Sequence, residues 1–332
     1  MMTTSTVKND IDVSQQERET ETRGMTSPSS SFYDRVQEGQ PDAEREPGRV
    51  LAGVPGFPVG HGEVYKRFAP QYDLLCLRQD ARTQSIAAAV HALLVRAAAA
   101  AGCAVGALTA VDVGTGTGKL AALLGRWGVR VVGVDRARPM LNYACVTARR
   151  AADGVQAAGA RLPLRDKCVD VALAGWTLSE TKSAHFDRGW RAHIDRSVAE
   201  LARVARHGVL VLENLAVGAA EPARAGSHLY RHLVENAGFE RAWHRTDYVF
   251  ASLDEALRLT RFFFGTKRAA AWEPALRAQH QALQERHHHH ETSADADAEA
   301  EDHDPEPEQV PEPEPEPGIV LPECTAFFWR NL

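Results

Sequence analysis

Cysteine is scarce. The 332 residues hold five, Cys76, Cys103, Cys145, Cys168 and Cys324, an odd number with no C-x-x-C pair. That excludes a disulfide-stapled scaffold and a zinc ribbon and fits a reducing compartment. Long apolar runs are also missing. The most apolar stretch, Ile86 to Val113, is mostly alanine and is interrupted by His91, Arg96 and Asp112, which is too weak for a membrane span. The N-terminus has no apolar segment to act as a secretory signal, and its many acids speak against a mitochondrial transit peptide. The expectation is a cytoplasmic enzyme with no membrane span.

Charge is unevenly distributed. The formal total is −6, yet residues 291–317 alone hold −12, residues 1–48 hold −5, and 318–332 are neutral, which leaves +11 on 49–290. Residues 1–48 are rich in Thr, Ser, Glu, Gln and Pro and are expected to form a disordered tail. Residues 49–286 are expected to fold as the main domain. Residues 287–317 begin with four histidines and pass into Pro-Glu alternation, an expected disordered insertion that repels itself into extended chain. Residues 318–332 turn apolar again and read as a strand returning to the folded body. The histidines His287 to His290, with His303 nearby, have no ligand spacing on a regular element, so no metal site is expected.

Between the polar segments, helical and strand patterns alternate. Helices are expected over 81–101 (stopped by Gly102), 117–127, 138–151 and 190–206. Strands are expected over Ala110–Val113, Val129–Val134, Val169–Ala174 and Gly208–Leu212. Such alternation implies a parallel sheet with helices on both faces. Ligands of such sheets bind beyond the carboxyl ends of the strands, where strand order reverses. The end of the first strand is therefore the place to look.

That end reads Val111-Asp112-Val113-Gly114-Thr115-Gly116-Thr117-Gly118-Lys119-Leu120. A phosphate-binding P-loop needs glycine where Val113 stands and Ser or Thr where Leu120 stands, so it fails at both ends. A dinucleotide fingerprint needs its third glycine where Lys119 stands. An apolar strand with an acid two residues before G-x-G-x-G instead resembles the first motif of class I S-adenosylmethionine-dependent methyltransferases. The second motif is resembled by Val131-Val132-Gly133-Val134-Asp135 followed by Arg136-Ala137-Arg138-Pro139-Met140-Leu141. The third segment, Ala158 to Leu164 with Cys168 to Ala174, resembles the methyltransferase type 11 group, which includes the quinone-biosynthesis C-methyltransferases.

The resemblance covers roughly 60–286 and 318–332. It implies an α/β, Rossmann-like class I methyltransferase fold: a mostly parallel seven-stranded sheet, helices on both faces and a terminal antiparallel hairpin from Phe239–Phe250 and Ile319–Trp329, with a helix over Ser252–Gly265. It implies S-adenosyl-L-methionine as cofactor. Asp112, Gly114, Thr115, Gly116 and Gly118 would meet its amino-acid and ribose portions. Asp135 would accept from both ribose hydroxyls, unless it is only a helix N-cap. Arg136, Met140, Gly159 and Trp176 complete the expected cofactor contacts. Ala158 departs from the pattern, since an acid usually stands there to accept from the adenine amino group.

Methyl transfer needs orientation, and a base only if the nucleophile starts protonated, so no catalytic signature is obligatory. Substrate-facing candidates are Tyr72, Glu180 and Glu213. Trp176, Thr177, Ser179, Asn214 and His185 are also within the expected region, and Glu180 and Trp176 have ordinary readings as a loop acid and core packing. The chain lacks the Asn/Asp-Pro-Pro-aromatic loop of base-amine methylation, having Gly175-Trp176-Thr177-Leu178, and has no Pro-Cys pair. A small-molecule acceptor is the lead expectation. An RNA or protein methyltransferase, favoured by the basic body and by Arg261, Lys267 and Arg268, is the second. The third is a cofactor-binding scaffold without catalysis. Oligomeric state has no signal in the sequence.

Overall fold

Valine- and alanine-rich runs buried on both faces pair in the interior of a parallel sheet, and the computed structural model of the chain is organised around such runs. It describes residues 61–147, 153–185, 189–222, 227–297 and 318–332, for 287–297 the backbone alone. The chain divides into Met1–Phe57 and Pro58–Leu332, and the described residues belong to the second unit. The tail expected over 1–48 and the acidic residues 298–317 lie outside them.

Strands β1 (Thr109–Val113), β2 (Arg130–Asp135), β3 (Asp153–Gln156), β4 (Val169–Gly175) and β5 (Ala205–Val217) run parallel. Four more follow: β6 (Glu240–Arg245), β7 (Tyr248–Phe250), β8 (Ile319–Leu321) and β9 (Glu323–Asn331). β9 lies antiparallel between β5 and β6, giving a seven-stranded sheet of order β3-β2-β1-β4-β5-β9-β6. β7 and β8 form a separate antiparallel pair. Ahead of the sheet come helices α1 (His61–Arg67), α2 (Ala69–Arg78) and α3 (Ser85–Ala101). Interleaved with it are α4 (Lys119–Gly125), α5 (Arg138–Asn142), α6 (Leu178–Ala184), α7 (Trp190–Val204), α8 (His228–Glu235), α9 (Leu253–Phe264) and α10 (Thr266–Asp297).

Strand alternation divides the core into two layers. Val209, Val211 and Phe328 face one side, where Ile194, Val198 and Leu201 of α7 and Leu229 and Leu233 of α8 cover them. Leu210, Leu212 and Phe327 face the other, against Ile86, Val90 and Leu94 of α3 and Leu120 and Leu124 of α4. The α3 residues recur at helical spacing, so the alanine-rich segment presents one apolar stripe. It stops at Gly102, whose left-handed backbone returns an N–H to Ala98 and Ala99. A third cluster joins Leu75 of α2 to Phe250, Leu257, Leu276, Ile319 and Leu321. It fastens α2, α9, α10 and the β7–β8 pair together.

The structure corrects two sequence expectations. The terminal hairpin is split in two, because Pro322 has no N–H for a ladder; main-chain pairing resumes where the Glu323 carbonyl accepts from the Thr246 amide (2.9 Å), while the Glu323 N–H donates to the Asp247 side chain (3.0 Å). The helix expected over 138–151 ends at Asn142 and continues as one π turn, Tyr143–Thr147; residues 148–152 lie outside the described set. Helical backbone also runs from Thr266 through the four histidines to Asp297, past the expected boundary at 287. Ala, Gln, Glu and Arg are good helix formers, and extending a formed helix costs far less than starting one.

Candidate active site

Strand order reverses between β1 and β4, so the ends of these two strands diverge and open a cleft. The loop leaving β1 fits there because of its glycines. Gly114 (φ +74°) has no room for a side chain: a Cβ would lie 2.0 Å from Thr177 Oγ1. Gly118 (φ +85°) starts α4 in a left-handed conformation that other residues rarely adopt. The loop is tied to β2 by the amides of Gly114 and Thr115, which donate to the Val134 carbonyl (2.7 and 3.0 Å), and by Gly116 N–H, which donates to Asp135 Oδ2 (2.9 Å).

Two cavities of about 600 and 690 Å³ open over this loop and share Tyr72, Gly114, Gly116, Trp176 and Glu180 as walls. The larger runs along Asp135, Arg136, Ala158 and Gly159, over the ends of β2 and β4. The smaller runs from Asp112 and Thr115 toward Asn214 and the aromatic residues of α2, α9 and α10. Asp112 is 2% exposed. Its Oδ2 accepts from Thr115 Oγ1 (2.8 Å), whereas its Oδ1 has no partner among the described residues. Burial pushes its carboxyl up to about 6, against the pull of the Thr115 hydroxyl. Asp135 is likewise raised by burial, with the Ala137 and Gly116 amides holding it down. Trp176 Nε1 and Asn214 Oδ1 are also buried with no partner among the described residues, and both residues line the smaller cavity. Two acceptors and a donor left unmet around one cavity mark the place of a polar ligand. An ammonium beside Asp112 and a ribose beside Asp135 suit the two carboxylates that close β1 and β2, so the site fits S-adenosylmethionine.

Trp176 separates the two cavities from an unusual backbone position, φ +51°. Non-glycine residues hold such angles only where neighbours enforce them; here its amide donates to the Leu212 carbonyl (2.7 Å). Lys119 Nζ lies 5.3 Å from the Trp176 ring and donates to Gln79 Oε1 (2.8 Å). Gln79 donates in turn to Glu323 Oε2 (2.9 Å). Burial lowers the lysine and raises Glu323 to about 7. At the cleft's mouth, His61 Nδ1 meets Glu180 Oε1 (2.6 Å), and its Nε2 lies 3.1 Å from the Phe263 carbonyl. A carbonyl and a carboxylate both accept, so the ring presents two N–H groups, and the Glu180 hydrogen bond raises its pKa. It fastens α1 to α6 and α9.

The residues singled out in the sequence are distributed as follows. Asp112, Gly114, Thr115, Gly116, Asp135, Arg136, Gly159 and Trp176 all line the cavities, as do Tyr72 and Glu180. Gly118 does not; it serves the backbone turn. Met140 is 1% exposed and lines neither cavity, because α5 turns it into the core. Glu213 is fully buried behind the wall. Its Oε1 accepts from the amides of Leu178 and Ser179 (2.8 and 3.0 Å), and its Oε2 accepts from Ser179 Oγ (2.6 Å), so it anchors the start of α6 rather than facing a substrate. Burial raises it to about 7. His61, Tyr65, Lys119 and Trp272 reach the site without any signal in the sequence having placed them there. Of the basic trio, Arg261 is paired with Glu273 (2.7 Å), whereas Arg268 lines the smaller cavity. No group of three metal-ligating side chains is found among the described residues, and no described helix is long and apolar enough to cross a membrane.

Residues 111–212, from β1 through the middle of β5, match the family model for a methyltransferase domain. No curated protein matches the chain. Among solved structures, the chain is similar to the [4+2]-cyclase SpnF, at 19% identity and TM-score 0.43 over 81% of this chain and 95% of that one. It is also similar to YcgJ of Bacillus subtilis, at 15% identity and TM-score 0.37 over 73% and 98%. A third similarity is to magnesium protoporphyrin IX methyltransferase from Synechocystis PCC 6803 with bound S-adenosylmethionine, at 16% identity and TM-score 0.33 over 68% and 94%. The glycine loop and the acids that close β1 and β2 fall within the same 111–212 segment that matches the methyltransferase-domain model.

Proposed function

We propose that this methyltransferase acts on a small-molecule acceptor held in the smaller cavity, beside Trp176. The observation that supports this most is enclosure by aromatic side chains. Tyr65 and Tyr72 from the N-terminal helices and Phe263, Phe264 and Trp272 from α9 and α10 line the space. The same helices cover the approach, with His61 bonded to Glu180 and to Phe263. A covered chamber of this kind suits a ligand that leaves bulk water, and a polymer would have to displace the cover.

S-adenosylmethionine supplies the electrophilic methyl group and the leaving group. In this reading Asp112 holds its ammonium and Asp135 its ribose, with Gly159 against the adenine; Ala158 offers no acceptor there, which costs about 1 kcal/mol of binding. Asn214 Oδ1 and Trp176 Nε1 orient polar atoms at the chamber floor. Where the acceptor atom starts protonated, Ser179 Oγ takes that proton and passes its own to Glu213 Oε2, 2.6 Å away. Glu213 acts only through Ser179.

The test is label transfer. The full chain is incubated with methyl-labelled S-adenosylmethionine and, separately, with organic-extractable metabolites, total RNA and total protein, beside Asp135→Ala. Label in the extractable fraction, lost in the variant, is expected. Label in RNA or protein overturns the acceptor class, and no label in any fraction favours a non-catalytic binding scaffold.

A further inference from the structure

The chamber wall is a continuous chain of rings. Tyr65 meets Tyr72 edge to face (5.5 Å between centroids), Tyr72 meets Phe263 (5.3 Å), Phe263 meets Phe264 (5.2 Å) and Phe264 meets Trp272 (5.2 Å). None of the five is fully buried, and all five line the cavity. Packed rings hold flat guests better than branched ones, since aromatic pairs gain beyond the area they bury. Tyr65 and Tyr72 are raised well above the ordinary phenol value by burial, so both stay neutral.

The charges of the same cavity are mostly committed. Glu180 is bonded to His61, and Lys119 is held by Gln79. Asp112 belongs to the glycine loop. Arg268, on the first turn of α10 between Phe264 and Trp272 in sequence, lines the chamber and makes no ion pair among the described residues. Its neighbours contrast with it: Arg261 and Arg277 share the carboxylate of Glu273 (2.7 and 2.6 Å). A guanidinium with no ion pair among the described residues, beside an aromatic wall, fits a guest with one anionic end.

We infer that the acceptor is a flat aromatic molecule bearing a carboxylate or similar small anion, with its ring against the Tyr65–Trp272 wall and its anion on Arg268. Arg268 is then the residue that selects substrates. The inference rests on the small-molecule reading above and narrows it.

Three probes test it by calorimetry on the full chain saturated with S-adenosylhomocysteine: 1-naphthoate, its neutral isostere 1-naphthamide, and non-aromatic cyclohexanecarboxylate. Naphthoate is expected to bind about 5–10-fold more tightly than naphthamide, the range for one charge-assisted contact at a solvent-accessible arginine. In Arg268→Gln that preference should disappear while S-adenosylhomocysteine affinity is unchanged. Cyclohexanecarboxylate should bind more weakly than naphthoate. Equal binding of the acid and the amide, an acid preference kept in Arg268→Gln, or no binding of any probe overturns the inference. S-adenosylhomocysteine titrated alone reports separately on the cofactor site. Should it fail to bind, the probe series on the unliganded chain still decides the acceptor question.

Discussion

Glu213 sets up a measurable dependence of stability on pH. Its carboxyl is fully buried and accepts from two amides and a hydroxyl, none of them charged. The folded protein raises it from 4.5 to about 7, a preference for the neutral form of about 3 kcal/mol. The native state therefore holds a proton that the unfolded chain has lost between these two values. Stability is greatest below pH 4.5 on this account and falls as pH rises toward 7, the reverse of a carboxylate paired with a base. Glu323, raised to about 7 by burial, and Asp112, raised to about 6, act in the same direction. Glu213→Gln keeps the shape and the acceptor for the Leu178 and Ser179 amides, and the Ser179 hydroxyl can turn to accept from the new amide. Urea unfolding followed by circular dichroism at pH 5 and pH 8, without ligand, is the assay. The wild type should lose stability between the two, and the variant should lose about 3 kcal/mol less. A pH dependence in Glu213→Gln equal to that of the wild type, or a wild type more stable at pH 8, would refute the reasoning.

Two further outcomes follow from the site. Asp112 titrates near 6 in the unliganded protein and is proposed to meet an ammonium, so S-adenosylhomocysteine should weaken below pH 6, approaching ~10-fold per pH unit; Asp112→Asn should bind poorly at every pH, and a wild-type affinity constant from pH 5 to 7 removes that role. Gly114→Ala places a methyl 2.0 Å from Thr177 Oγ1 at φ +74°, which should cost about 2–4 kcal/mol of stability. Adding Thr177→Gly should restore part of it, and strictly additive losses would show that the contact is not the cause.

The central motifs were legible because their geometry is local. Asp112 and Gly114 are neighbours on one strand end, and Asp135 closes the next strand, so consecutive residues determine where they point. Met140 had the right position in the chain, but its place on α5 turns it inward. Glu213 and Asn214 show how little separates success from failure. Both stand on β5 just past Leu212, its last residue paired with β4, and pleat alternation sends one behind the wall and the other into the chamber. Glu213 faces α6, and Asn214 faces the ligand space. His61, Arg268 and Trp272 reach the site from helices that are distant in sequence, brought together by the packing of Leu75, Leu257 and Leu276 and by the His61 bonds to Glu180 and Phe263. Strand β3 was missed because its short run, Asp153 to Gln156, has no buried side chain.

The placement of β9 has a consequence for how the protein is made. Its partners β5 and β6 are complete once Arg245 is in place, yet Asn331 must be in reach before Gly208 and Glu240's neighbours are paired. At ordinary translation speeds that interval is about 4–17 s. Throughout it, a nascent chain presents two open strand edges with a gap between them, one flanked by Val209, Val211 and Leu212. The half-built sheet is then a template for any passing strand. An attendant chaperone, or slow synthesis past residue 245, would change the yield of folded protein without altering any contact in it.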